Sequence, residues 1–479
     1  MKKLIHFTCF VLVAILGLSQ ISCAADRPNI IFMLIDDMGW TDLSCMGSKY
    51  YETPNVDKLA AEGMKFTQAY SACTVCSPTR ASILTGQYPG RLHITDWIAG
   101  HVKPHAKLSV PDWLMHLPTD IPNLPQMLKP SGFASASIGK WHLGGEAYFP
   151  EKQGFDLNVA GTDRGQPPSY FSPYKIATLP DGPVGEFLSD RLTDEACKFI
   201  ETNKARPFFL YMPHFGVHTP LMAKPDVIKK YKAKTDPNGQ QHNAVYAGLV
   251  ESIDDSVGRI MKKLDDLKLA ENTIVIFNSD NGGLIGPTYN LGLRAGKGSA
   301  YEGGVRVPLI VKWPGVTKPG SVCTSPVISV DYLPTLLAMV GASDASKGVV
   351  DGESLVPLLN QTAALKRDAI YWHYPHYHPG GATPYGAVRE GDFKLIEFFE
   401  DNHVELYNLK DDQLEKNDLA KTMPEKATAL RQKLHDWRTK VGAQMPTPNP
   451  NYNPNPPEPK NKKDKKQAAA EIERVMEAS

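Results

Sequence analysis

Two uninterrupted apolar runs, each ending abruptly in acid, constrain this chain more than any other feature. Asn29-Ile-Ile-Phe-Met-Leu-Ile35 runs into Asp36-Asp37, and Thr273-Ile-Val-Ile-Phe277 runs into Asn278-Ser-Asp280-Asn281. A strand with no polar alternation is buried on both faces, the pattern of parallel sheets covered by helices. Helical patterns alternate with these strands. One spans residues 53–64, with Thr53 as a cap candidate and Pro54 in the first turn. Another spans 243–266, with Leu249, Ile253, Val257, Ile260 and Leu264 at helical spacing. The expected fold class is therefore α/β, a large, mostly parallel mixed sheet sandwiched by helices. In such sheets ligands bind beyond the carboxyl ends of the strands. Both acidic strand ends are thus expected at one edge, although about 240 residues separate them.

Composition narrows the class. Among 479 residues, 52 Lys+Arg balance 52 Asp+Glu, which argues against a nucleic-acid-binding protein. The 42% hydrophobic content excludes a disordered chain and a collagen-like repeat. Lys2-Lys3, the apolar run Phe10–Leu18 and small residues at Ser22-Cys23-Ala24 read as a signal peptide over 1–24. The apolar run is too short to span a membrane, and no later window is long and apolar enough to do so. An exported protein, periplasmic or extracellular, is expected. A lipoprotein anchored through Cys23 is the alternative, although Gln20 stands where an aliphatic residue would be needed. Five cysteines then remain: Cys45, Cys73, Cys76, Cys197 and Cys323.

Residues 25–367 read as one large domain, and the pattern changes from about 368. Short strand-like runs at 386–389, 393–399 and 405–409, then an amphipathic helix near 424–439, give a C-terminal α+β subdomain over 368–445. Residues 446–479 form the tail. Seven prolines among residues 446–459 predict an extended, unpaired segment, followed by the basic run Lys460–Lys466 and a weak helix over 467–477.

The sharpest local motif is Cys76-Ser-Pro-Thr-Arg80-Ala-Ser-Ile-Leu-Thr85-Gly86. Pro78 is expected to open a helix, with Arg80 within one turn of Cys76. A cysteine at a helix N-terminus beside an arginine sits in a positive environment that favours anions. A buried structural cysteine ahead of an ordinary helix fits the same residues. Likewise, an Asp pair at a strand end can be a metal ligand set or a simple cap.

Taken whole, the motif resembles the signature of the formylglycine-dependent (type I) sulfatases, in the alkaline-phosphatase-like superfamily. The resemblance extends over roughly residues 27–440. It implies that Cys76 is oxidised to formylglycine by a maturation enzyme, and that Asp36, Asp37, Asp280, Asn281 and residue 76 hold a cation. The all-oxygen ligand set suits a hard cation, Ca²⁺ or Mg²⁺, and the resemblance implies Ca²⁺ in preference to Mg²⁺. Gly139-Lys140-Trp141-His142 resembles the block that sets a lysine and a histidine beside the nucleophile. His218, within Pro213–Pro220, and Lys297, within Gly296–Pro308, match the second histidine and the sulfate-binding lysine. His214 has no counterpart. The implied chemistry is in-line attack on sulfur by one hydroxyl of the hydrated aldehyde. Arg80, Lys140 and Lys297 neutralise the ester, and His218 with Lys297 protonates the leaving alcohol. His142 then takes the proton of the second hydroxyl, which expels sulfate and restores the aldehyde.

The overall pattern further resembles exported bacterial sulfatases that trim sulfated polysaccharides, galactose or N-acetylgalactosamine sulfates above all. Arg91–His101 and the aromatic run Tyr371–His378 are expected as loops at the pocket mouth, where rings can stack on sugars. His373, His376 and His378 fit sugar or loop contacts better than a transition-metal site. The alternatives are a phosphate or phosphonate monoester hydrolase of the same superfamily, a non-catalytic glycan-binding relative, and a surface protein that uses the tail.

Overall fold

The computed structural model describes residues 27–237, 239–345 and 348–456. The expected signal peptide, the Lys460–Lys466 run and the 467–477 helix lie outside them. Among the described residues no helix is long and apolar enough to cross a membrane.

An eight-stranded sheet carries the N-terminal part. Its strands, in chain order, are β1 (Asn29–Ile35), β2 (Met64–Phe66), β3 (Ala134–Ile138), β4 (Leu157–Val159), β5 (Phe208–Pro213), β6 (Thr273–Ser279), β7 (Leu309–Lys312) and β8 (Ser321–Cys323). Their spatial order is β8-β2-β7-β6-β1-β5-β3-β4. The block from β6 to β4 is parallel, and β7 runs antiparallel to both neighbours. β1 is central, and its pleat divides the core in two. Ile31, Met33 and Ile35 pack with Leu249, Ile253 and Val257 of helix Ala244–Asp266. Ile30, Phe32 and Leu34 pack on the other face with Ala81, Leu84, Leu333 and Leu336. Successive strand side chains point to opposite faces, so a strand covered on both sides needs an apolar residue at every position. The long helix is capped by Asn243, whose side chain accepts from the N–H groups of Val245 and Tyr246.

A second sheet follows, with β9 (Ala369–Tyr374), β10 (Tyr385–Glu390), β11 (Phe393–Phe398) and β12 (Val404–Asn408) in sequential antiparallel order. Helix Pro424–Val441 lays Leu430, Leu434 and Trp437 on it. The aromatic run at 371–378 is therefore only partly a loop. Its first four residues complete β9, with Trp372 and Tyr374 buried, because β-branched and aromatic residues pack well on a half-covered sheet.

The proline-rich tail departs from expectation in its first part. Thr447 and Pro448 pair antiparallel with Ser109 and Leu108, and Asn449 N–H donates to Lys107 O at 3.1 Å. Proline removes its own donor only, so the intervening Thr and Asn supply N–H groups and amides that hold the strand in place. None of the five described cysteines is in a disulfide, so the parity of their count reflects no pairing.

The C-terminal helix is fastened by charge as well as by packing. Glu397 on β11, with its side chain 3% exposed, accepts from Arg431 Nε at 2.7 Å and Arg438 Nη2 at 2.6 Å, and His435 Nε2 lies at 3.0 Å. Burial pushes the pKa of Glu397 up, but Arg438, His435 and Arg431 outweigh it and hold the carboxyl below its usual range. Its contribution to stability is complete above the unfolded value of about 4.3 and fades as pH falls through the lower folded value. Glu397→Ala strands buried arginine and is expected to cost about 3 kcal/mol in urea unfolding at pH 7, with a smaller deficit at pH 3.

Candidate active site

Four adjacent parallel strands deliver side chains to one edge. The ladder continues past the strand ends: Asp280 N–H donates to Ile35 O, His214 N–H to Leu34 O and Asp36 N–H to Gly216 O, all at 2.9–3.0 Å. Asp36-Asp37, Asp280-Asn281 and the 214–218 loop therefore emerge side by side. Lys140, two residues beyond β3, joins them because its N–H donates to Pro213 O at 2.7 Å. Gly139 makes this turn possible. It has φ +130°, and a Cβ there would stand 1.9 Å from Pro213 O.

Helix Cys76–Thr85 enters from one face of the sheet, fully buried. It begins at Cys76 itself, two residues before the expected start at Pro78, because Val75 is the last extended residue. Hydroxyls lock this turn. Thr79 Oγ1 bonds to both the N–H and the carbonyl of Cys73, and Ser77 Oγ donates to His142 O. Arg80, completely buried, donates from Nε and Nη2 to Asp280 Oδ2 at 2.9 and 2.8 Å, and from Nη1 to Lys140 O at 2.9 Å.

The ten expected residues form one connected cluster. Lys140 Nζ lies 2.7 Å from Asp36 Oδ2. Lys297 Nζ lies 2.8 Å from Asp37 and 3.8 Å from Cys76 Sγ. Asn281 Nδ2 donates to Asp37 Oδ1 at 2.8 Å, and His218 Nε2 stands 3.6 Å from Asp37 Oδ2. Candidate ligand atoms of Asp36, Asp37, Cys76 and His218 all lie within 4.8 Å of one another. Asp36 Oδ1 and Asn281 Oδ1 are buried oxygens without a hydrogen-bond partner, which suits a hard cation. Asp280 stands differently, since Arg80 occupies one oxygen and Asp37 N–H the other.

Electrostatics follow from burial. Burial, with Asp280 and Asp37 as neighbours, pushes Asp36 up despite Lys140 and Arg80. Burial also acts against Asp37, but Lys297, His218 and Lys140 prevail and hold it below the usual carboxylate range. His218 is lowered to about 4, chiefly by burial and then by Lys297. His142 lies well below its ordinary value through burial and Lys140. Both are neutral at pH 7. His142 Nε2 faces Ile98 O, which leaves Nδ1 as its buried, unpartnered acceptor.

The sequence matches the family "Sulfatase" over residues 28–342 and "N-sulphoglucosamine sulphohydrolase, C-terminal" over 296–441. The chain belongs to the sulfatase family. A "Sulfatase" of Formosa agariphila is 35% identical, over 88% of this chain and 90% of its own length. The N-acetylgalactosamine-6-sulfatase of Mus musculus is also 35% identical, over 73% of this chain and 69% of its own. The crystal structure of Ps i-CgsB superposes with a TM-score of 0.74 at 28% identity, covering 89% of this chain and 94% of that one. It has also been solved in complex with k-i-k-neocarrahexaose.

In this sulfatase, Cys76, His142, His218 and Lys297 line a pocket of about 360 Å³ with Trp97, Ile98, Gly165, Gln166, Leu284 and His378. Trp97 and His378 belong to the two stretches expected at the pocket mouth. Gln166 and Leu284 carried no sequence signal, being single residues in irregular loops. The three histidines 373, 376 and 378 do not converge: His373 Nε2 bonds to Gln444 O and His376 Nε2 to Thr95 Oγ1. His214 is buried beside Ser256. Burial raises the Cys76 thiol to about 12 against the pull of Lys140 and Lys297, so the unmodified side chain is an unreactive thiol. Folded, unmodified protein should therefore resist iodoacetamide at Cys76 at pH 8 and react there only after unfolding, as peptide mass spectrometry would report.

Proposed function

We propose that this sulfatase removes sulfate from a carbohydrate monoester, a galactose or N-acetylgalactosamine sulfate unit of a polysaccharide. In this reading residue 76 works as formylglycine, and Asp36, Asp37, Asp280, Asn281 and residue 76 hold Ca²⁺ in preference to Mg²⁺. The observation that carries it is the seat of Cys76, at a helix N-terminus on the floor of a pocket and 3.8 Å from the Lys297 ammonium. The orphaned oxygens of Asp36 and Asn281 support the cation. The sugar substrate is supported by the relatives' own substrates and by the Trp97 and His378 walls.

The protein's part is charge and proton handling. Lys297 on the pocket wall meets the ester's negative charge, with Arg80 and Lys140 behind it on the carboxylates. A bound cation would polarise the sulfuryl group and compensate the buried carboxylates. Formylglycine would supply a hydrated aldehyde, whose second hydroxyl lets the residue regenerate. Lys297 is the standing proton donor toward the leaving oxygen. His218 donates Nδ1–H to Thr219 O at 2.8 Å, so its Nε2 accepts a proton once an anionic ester raises its basicity. His142, neutral with Nδ1 unpartnered, is suited to take the hydroxyl proton of residue 76.

A catalytic domain over 25–367 and a C-terminal subdomain over 368–445 that finishes the pocket wall belong to the same reading, as does export directed by residues 1–24. Cys76 is 2% exposed, so a maturation enzyme would have to reach it before the chain closes.

Cys76→Ala is expected to abolish turnover, and Cys76→Ser to accumulate a sulfated protein detectable by intact mass. Active enzyme whose 71–80 peptide carries only cysteine would overturn the assignment. Lys297→Ala should lower kcat on sugar sulfates on the order of 10²–10⁴-fold, and less on 4-nitrophenyl sulfate, whose leaving group departs without a proton. Higher turnover of 4-nitrophenyl phosphate than of the sulfate would instead favour a phosphohydrolase.

A further inference from the structure

His378 stands apart from the residues assigned to sulfate chemistry, yet it lines the same pocket. It is 6% exposed and borders both the 360 Å³ pocket around Cys76 and an adjoining groove that holds Ser299, Tyr301 and Thr383. Its ring is fixed on several sides. The N–H of Gly380 donates to Nδ1 at 3.0 Å, and Trp97 meets the ring edge-on with centroids 5.6 Å apart. Gly298, at φ +84°, packs so closely that a Cβ there would come within 2.2 Å of Cγ and Nδ1.

The hydrogen bond from Gly380 decides the tautomer. A backbone N–H can only donate, so Nδ1 holds the lone pair and Nε2 carries the proton of the neutral ring. Burial, reinforced by Lys297, lowers the ring to about 4, so this form holds at neutral pH. Among the described residues no acceptor takes up Nε2–H. His373 and His376, by contrast, spend Nε2 on Gln444 and Thr95.

We propose that His378 is a specificity-determining residue, whose Nε2–H donates to an uncharged oxygen (a hydroxyl or ether) of the sugar that bears the sulfate. A neutral donor suits this task. It adds direction to the pocket without adding to the positive charge that Lys297 already supplies, and a donor that bound sugar shuts off from water, left unpaired, penalises a substrate that lacks the oxygen. Trp97, against which the ring rests, offers the adjoining apolar face. The inference rests on the sugar-sulfate reading above.

The test compares wild type, His378→Ala and His378→Gln on a panel of monosulfated galactose and N-acetylgalactosamine, with 4-nitrophenyl sulfate alongside. For the sugar sulfate that wild type turns over best, His378→Ala should raise KM tenfold or more with a smaller change in kcat. The ratio of kcat/KM for that sugar to kcat/KM for the aryl sulfate should fall at least tenfold, and Gln, which keeps an N–H donor, should recover part of it. Equal losses on both substrates, a loss in kcat alone, or no loss would overturn the proposal. Wild-type turnover of the aryl sulfate with none of any sugar sulfate would instead overturn the sugar reading, and this inference with it.

Discussion

Carboxylates buried at the carboxyl ends of β1 and β6 set the terms for the rest of this molecule. Asp36 and Asp280 are fully inaccessible and Asp37 is 2% exposed, and charges so placed are costly unless compensated. Arg80, Lys140 and Lys297 provide that compensation, each reaching in from a different part of the chain. The fold then has little freedom at this edge. The helix bearing Arg80 must dock with its N-terminus toward the carboxylates, which brings Cys76 to the pocket floor. The turn after β3 must be tight enough to aim Lys140, which requires glycine at 139. The arrangement of charge beneath the pocket results from satisfying a buried acidic cluster.

The second sheet acts on the pocket from outside. β9 carries the chain from the core at Trp372 to the pocket at His378, and its end interlocks with the loop after Leu92. Tyr374 OH donates to Asp96, and Thr95 bonds to His376. Asp96 also accepts from the N–H of Trp97, so the buried carboxyl steadies the residue that forms the neighbouring wall. The clustered charged side chains thus come from the edge of the large sheet and the helix and loop docked there, while Trp97 and His378 on the pocket wall are held by contacts between the two sheets.

Much of this was legible in the sequence, for identifiable reasons. Apolar continuity in 29–35 and 273–277 announced strands buried on both faces, and acid at their ends announced the edge. The cysteine motif and its companion blocks pointed to ten residues that do lie together. Elsewhere local signals competed with tertiary ones. Proline at 78 marks a preferred first-turn residue, but Val75 holds the extended backbone, so the helix starts earlier. Prolines at 446, 448 and 450 suggested an unpaired strand, yet partners at 104–109, more than three hundred residues away, are invisible to local reading. The aromatic residues at 371–374 read equally as pocket mouth or sheet, and only the neighbouring β10 decides for sheet. Which of three nearby histidines reaches the pocket depends on backbone direction after β9, which no spacing encodes.

The contacts around Asp37 join residues 244 and 260 positions apart, and Lys140 meets Asp36 across 104. Such pairings form only when the long loops between them have closed. A partly folded chain therefore carries no partly working pocket: until β6 has docked against β1, the carboxylates lack Asn281 and Lys297, and Arg80 lacks its partner. Completion of the central sheet is thus a precondition for the pocket, and a lesion that keeps β6 from docking against β1 leaves Asp37 without Asn281 and Lys297.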